Sequence, residues 1–226
     1  MNSHFTIAID GPAGAGKSSV AREVARALGA IYLDTGAMYR TVGLYMLRNG
    51  VDPKDPATVA ARAHEAEVDI RYENGEQHVF LLGEDVSAAI RENEVSAAAS
   101  GVSAVPRVRE ILVARQQEIA REQSVVMDGR DIGTKVLPDA TLKIFLTAAP
   151  EERARRRYKE LTAKGQAVSY EQLLAEINQR DWDDSHRAAS PLCKADDAIE
   201  LDSSDMTQEE VTQRMLDLAR ERIGRA

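Results

Sequence analysis

Apolar residues in this chain gather into short β-branched runs, separated by longer stretches where they recur every three or four positions. Residues 5–10 (FTIAID) make a run of strand length, and residues 19–28 space their apolar side chains as a helix does, with Gly29 as a stop. Four further runs, at 30–33, 125–128, 142–146 and 198–201, share the character of buried strands, and helical patterns separate most of them. This alternation predicts an α/β fold, a doubly wound five-stranded parallel sheet whose ligands lie beyond the carboxyl ends of its strands. Between about Val51 and Pro106 the alternation stops. There, residues 68–72 and 78–82 flank Asn74 and Gly75, a strong hairpin signal. The stretch reads as a subdomain containing a β-hairpin, bounded at 36–105 and inserted into a single domain spanning 1–226. Residues 106–121 return to a long amphipathic helix that leads into the next core strand.

The turn between the first strand and the first helix carries the strongest chemical signal. Gly11, Pro12, Ala13, Gly14, Ala15, Gly16, Lys17 and Ser18 fit the pattern G-x-x-x-x-G-K-[ST], in the strand–loop–helix setting the pattern requires. Such glycines let successive backbone N–H groups turn inward toward phosphate oxygens, with the positive end of a helix behind them. A nucleoside triphosphate is therefore expected over residues 11–19, ending at Ser19. Lys17 would bridge the β- and γ-phosphates and the Ser18 hydroxyl would ligate Mg²⁺. The guanine-reading N-K-x-D motif is missing from the sequence, which argues against a GTPase.

Composition narrows the ligand further. A 226-residue chain with 43% hydrophobic residues can bury a sizeable core, but its net charge of -8 argues against general nucleic-acid binding. An anionic ligand must then be held by local arginines. Cys193 is the only cysteine, so no intrachain disulfide can form and a reducing compartment is expected. The first strand starts without a leader pattern, and no apolar run reaches membrane-spanning length, so the expectation is a soluble cytoplasmic protein, acting as a monomer with neither nucleic-acid nor membrane partners.

Arginines and carboxylates recur where strands give way to loops. After the second strand, Thr35 is placed to cap a helix while Arg40 projects one turn later toward an anion. After the third, Asp128 reads equally as an acid that organises Mg²⁺ through its waters and as a loop cap, and Arg130 and Asp131 follow. The helical stretch 151–164 holds Arg153, Arg155, Arg156 and Arg157. Arg153, Arg156 and Arg157 can share one face and serve as a lid over the phosphate loop, where a surface charge run would otherwise be expected. Arg180, Asp184 and Arg187 form an i, i+4, i+7 row, which by spacing alone is a surface ion-pair row. The four histidines have no metal-ligand spacing.

Several segments together resemble the nucleoside monophosphate kinase family of P-loop kinases, in its bacterial branch that acts on CMP and dCMP. They are I-D-G-P-A-G-A-G-K-S at 9–18, L-D-T-G-A-M-Y-R at 33–40, G-E-D-V-S at 83–87, P-R-V-R at 106–109, D-G-R-D-I-G-T at 128–134 and R-D-W-D-D-S-H-R at 180–187. The resemblance implies transfer of the γ-phosphoryl of ATP to CMP or dCMP, with Mg²⁺ and without a covalent enzyme intermediate. It implies that Thr35, where the family often has Ser, meets the monophosphate with Arg40, Arg130 and Arg187. Ser100, Arg109 and Asp131 would read cytosine, and Arg180 and Asp184 would approach the sugar. Lys17, Arg130, Arg153, Arg156 and Arg157 would serve catalysis, Ser18 and Asp128 the metal, and 151–165 would be the lid. Kinases of other small acceptors, such as dephospho-coenzyme A or shikimate, and a nucleotide-dependent binding module remain the alternatives at this point.

Overall fold

The structure, a computed structural model, describes residues 4–73 and 75–224. Strand β1 (Thr6–Asp10) and helix α1 (Lys17–Leu28) flank the glycine loop, and β2 (Ile31–Asp34) runs directly into α2 (Thr35–Arg48). Helix α3 (Pro56–Arg62), strands β3 (Val68–Glu73), β4 (Glu76–Leu81) and β5 (Glu84–Asp85), and helices α4 (Asn93–Ser103) and α5 (Pro106–Glu122) follow. After β6 (Val125–Gly129) come a π-helical turn over Ile132–Val136, β7 (Leu142–Thr147), α6 (Pro150–Ala163), α7 (Tyr170–His186), β8 (Ile199–Asp202) and α8 (Gln208–Ile223). The large parallel sheet has the order β2-β6-β1-β7-β8, so the five strands expected from the apolar runs are the five observed. In register, Ile7 faces Leu142 and Asp10 faces Phe145. None of the described helices is long and apolar enough to cross a membrane.

The chain falls into two compact units, one on Ala30–Val125 and the other on Phe5–Gly29 together with the chain from Val126 onward. In the second unit, Ile7, Ile9, Met127, Ile144 and Leu146 are almost fully buried, as near-continuous apolar strands in a covered parallel sheet must be. Gly29 ends α1 in the left-handed conformation (φ 66), its N–H bonded back to Ala25 and Arg26, as its position past the last apolar residue predicts. Helix α8 is started by a capping box between Thr207 and Glu210, and its Thr212 hydroxyl donates to Glu23 of α1.

In the first unit, α2 is buried along most of its length and packs on α4. Their close approach is set by Gly43, where an added Cβ would lie 3.1 Å from the Ala98 Cβ and the Ala99 N. Strands β3 and β4 are antiparallel with Val68 opposite Leu81, which matches the predicted hairpin; of its turn residues, Asn74 lies outside the described residues and Gly75 has φ 81. The pattern missed β5, whose two residues are too few to show a period, and it missed α3 and α4 within the insert.

The two-residue turn joining β4 to β5 is Leu82-Gly83, with φ 51 and 83. Two positive φ values make a tight hairpin turn for which Asn-Gly is the favoured pair, and a leucine there is strained while the residue is 59% exposed. Replacing Leu82 with Asn should relieve about 1 kcal/mol of backbone strain. The urea midpoint of Leu82→Asn is therefore expected to rise, and an unchanged or lower midpoint would contradict the strain.

Candidate functional site

The glycine loop of the second unit is shaped by what its backbone must approach. Gly11 has φ 146, and a Cβ there would fall 1.9 Å from the Leu146 carbonyl oxygen, so no side chain fits as the chain leaves β1. Gly14 (φ 77) and Gly16 (φ 86) supply the remaining left-handed turns, and Gly16 precedes α1 without a side-chain cap. The first-turn N–H groups of α1 thus receive no side-chain cap from Gly16, an arrangement suited to anion recognition at a helix start. Lys17 is 5% exposed and its Nζ donates to the Pro12 carbonyl at 2.7 Å. Burial pulls this ammonium down to about 7 and Arg130 pushes the same way, while Asp128, Asp10 and Asp184 oppose them.

Ser18 Oγ donates to Asp128 Oδ2 at 2.7 Å. Asp128 lies within β6 and is buried, and it meets α1 through Ser18. A hydroxyl and a carboxylate side by side suit Mg²⁺, which takes one or two protein oxygens and completes its shell with waters and substrate phosphates. No group of three or more His, Cys, Asp or Glu side chains among the described residues could hold a metal by itself.

Sequence reasoning passed over Asp10, the last residue of β1. Its two oxygens accept from the N–H groups of Ile132 (2.8 Å) and Gly133 (2.7 Å), anchoring the π-helical turn immediately after Arg130 and Asp131. Burial raises its pKa to about 6 despite those two bonds and the nearby Lys17. A carboxylate closing an apolar strand just before the glycines was the available signal. Asp131 itself is buried at the start of that turn.

Arg130 Nε donates to Asp184 Oδ2 at 2.8 Å, and Arg187 Nη1 lies 3.9 Å from Asp184 Oδ1. Burial works to raise the Asp184 pKa, but Arg130, with Arg180 and Arg187 adding to it, holds the carboxyl below its ordinary value. The 180/184/187 row is only partly at the surface: Arg180 is exposed, but the Asp184 and Arg187 side chains are only 16% and 10% exposed, and α7 ends at His186, leaving Arg187 on extended backbone where its Nε donates to the Ser190 carbonyl.

The arginines of α6 separate instead of converging. Arg153 is buried and reaches the glycine loop, donating to the Ala13 carbonyl at 2.9 Å. Arg156 turns to the carbonyls of Ser203 and Ser204, Arg157 pairs with Glu160, and Arg155 pairs with Glu152. Their acceptors lie on different segments, so the shared face read from spacing is divided among three directions.

In the first unit, Asp34 and not Thr35 caps α2: Asp34 Oδ1 accepts from the Ala37 N–H at 2.9 Å, and Thr35 is the first helical residue. A carboxylate at the strand's end has the reach and charge to cap, which leaves Thr35 inside the helix. Asp34 Oδ2 also accepts from Arg40 (2.8 Å) and lies 3.5 Å from Arg91, while the Arg40 Nε is buried with no hydrogen-bond partner among the described residues. Arg109 is 5% exposed, donates to the Ser103 carbonyl and lies over the Tyr39 ring with its Cζ 5.3 Å from the centroid. Ser100 is exposed on α4. Of the residues expected at the acceptor, Thr35, Arg40, Ser100 and Arg109 thus belong to the first unit, and Arg130, Asp131, Arg180, Asp184 and Arg187 to the second.

Known proteins resemble this chain over nearly its whole length. Residues 7–221 match the cytidylate kinase family. A cytidylate kinase from Caldicellulosiruptor bescii is 53% identical over 214 residues, covering 95% of each chain. Another, from Mycolicibacterium paratuberculosis, is 52% identical over 223 residues, covering 98% of each. Among solved structures, an uncharacterized protein from Eubacterium ventriosum shares the fold at a TM-score of 0.51 and 13% identity, covering 96% of this chain and 98% of that one. With a family match across almost all of its sequence and half of its positions shared with full-length relatives, the chain belongs to the cytidylate kinase family.

Proposed function

We propose that this protein transfers the γ-phosphoryl of ATP to CMP or dCMP, giving ADP and CDP or dCDP, in the pyrimidine nucleotide metabolism of the cytoplasm. The observation that carries the reading is the uncapped start of α1 with Lys17 folded over the glycine loop, in a chain of the cytidylate kinase family. The loop from Gly11 to Ser19 cradles the ATP phosphates with its backbone N–H groups, and Lys17 exchanges the Pro12 carbonyl for phosphate oxygens. Ser18 and Asp128 would hold Mg²⁺, which when bound offsets negative charge on the donor phosphates.

Thr35, Arg40, Arg130 and Arg187 hold the acceptor monophosphate, and the orphaned Nε of Arg40 supports this role because a buried donor without a partner favours an incoming anion. Arg180 and Asp184 orient the sugar. The stretch 36–105 acts as the monophosphate-binding subdomain and 151–165 as the lid; Arg156 and Arg157 join the phosphates there by leaving Ser203 and Glu160. The acceptor oxygen is already anionic near neutral pH, so no general base is needed. Rate enhancement comes from alignment of the two phosphates and from fixed positive charge around the transferring group.

Base choice follows from donor and acceptor order. Asp131 accepts from the exocyclic amine of cytosine, while Arg109 donates to a ring acceptor and Ser100 adds a hydroxyl. Uracil presents O4 to the carboxylate and N3–H to the guanidinium, and each mismatch leaves a desolvated charge poorly paired at a cost of roughly 1–3 kcal/mol.

A coupled ADP-release assay across CMP, dCMP, UMP, AMP, GMP and shikimate tests the reading. Turnover with CMP and dCMP far above the others is expected, and Lys17→Met should lower it by about 10²–10³. ATP binding without consumption for any acceptor would instead identify a nucleotide-dependent binding module. A second assay addresses the base: Asp131→Asn should weaken use of CMP and narrow the CMP/UMP ratio of kcat/KM, because the amide can rotate to donate to O4. An unchanged ratio would remove Asp131 from base reading.

A further inference from the structure

Helix α7 directs two carboxylates at arginines, and only Asp184 has a part in the reading above. The other, Asp181, accepts from both ends of the Arg153 guanidinium, from Nη1 at 3.0 Å and from Nη2 at 2.5 Å. Two more Arg153 donors are engaged: Nε donates to the Ala148 carbonyl at 2.9 Å and Nη1 to the Ala13 carbonyl at 2.9 Å. The Arg153 side chain is 2% exposed and Asp181 24%. Its stem supports the loop as well, since a Cβ placed on Gly14 would lie 3.6 Å from the Arg153 Cβ and 3.9 Å from its Cγ and Cδ.

We propose that Asp181 is a positioning residue for the donor nucleotide, setting the direction of the phosphate loop through Arg153. The proposal rests on the assignment of residues 11–19 to ATP. In a trans peptide the C=O and the following N–H lie in one rigid plane and point in opposite directions. A guanidinium that holds the Ala13 carbonyl on one side of the loop therefore fixes the Gly14 N–H on the other. In the free protein Lys17 does the same one peptide earlier by holding the Pro12 carbonyl, which orients the Ala13 N–H until ATP arrives. The planar fork of Arg153 keeps its own orientation only while a carboxylate faces both of its ends. With the pair intact four of its five N–H donors are occupied by the protein, so Arg153 acts on ATP through the loop and Asp181 acts through Arg153. Loss of the Asp181 charge leaves a buried guanidinium half-paired, free to rotate away from Ala13.

The test is calorimetric binding of a non-hydrolysable ATP analogue and, separately, of CMP, so that it does not depend on phosphoryl transfer. For Asp181→Asn the Kd of the ATP analogue should rise by about tenfold, the scale of one lost charge-assisted hydrogen bond, while the CMP Kd stays within about twofold. Asp181→Glu keeps the charge and should recover most of the ATP affinity. Arg153→Lys, which cannot fork, should reproduce the loss, and adding Asp181→Asn to it should weaken binding no further. An unchanged ATP-analogue Kd in folded Asp181→Asn, equal losses for both nucleotides, or additive losses in the double variant would overturn the proposal. If Asp181→Asn does not fold, Asp181→Glu and Arg153→Lys decide: weakened ATP binding in the second but not the first is required. Failure of the wild type to phosphorylate CMP would overturn the proposed function and leave this measurement standing.

Discussion

The Lys17 ammonium is the constraint around which the second unit is arranged. It is almost fully buried at the mouth of a helix whose own N–H groups already make that end positive, and Arg130 lies near enough to push on it. A positive charge in such a place is unfavourable until an anion arrives, which is why burial brings its pKa to about 7. Asp10, Asp128 and Asp184 oppose that shift, and each also holds a neighbouring group in place. Asp10 anchors the turn after Arg130, Asp128 receives Ser18, and Asp184 holds Arg130.

This arrangement explains how an acidic chain can serve anionic substrates. Its net charge of -8 is that of the whole chain, whereas Arg130, Arg153 and Arg187 of the second unit are largely withdrawn from water. Poorly screened guanidinium groups interact strongly over short distances and weakly beyond them. Selectivity for a phosphate at one place can therefore coexist with overall repulsion of polyanions. Helix α7 organises part of this set, because Asp181 and Asp184, three residues apart, each hold an arginine.

The parts legible in the sequence were those with a period or a fixed spacing. The five core strands, the glycine loop, the stop at Gly29 and the β3–β4 hairpin all followed from local pattern, because each is specified by residues a few positions apart. Tertiary pairing stayed hidden. Asp10 read as the end of a strand although its partners are more than a hundred residues away, and Asp181 gave no sign that it would hold Arg153. Spacing placed Arg153, Arg156 and Arg157 on one face of a helix correctly as geometry, yet long side chains choose acceptors by reach, and these three chose differently. Thr35 lost the capping position to Asp34 because both are competent and the sequence does not say which residue the strand will release first.

The most direct test of this picture is proton uptake when ATP binds. Calorimetric titration of the protein with a Mg²⁺-bound ATP analogue near pH 8, repeated in buffers of different ionisation enthalpy, counts the protons exchanged. With burial lowering the free ammonium and the phosphates raising it on binding, Lys17 should take up a measurable fraction of a proton per ATP bound, and the uptake should vanish in Lys17→Met. Binding with no proton uptake in the wild type would mean that Lys17 is fully charged before ATP arrives, and would contradict a loop built around a buried, partly neutral lysine.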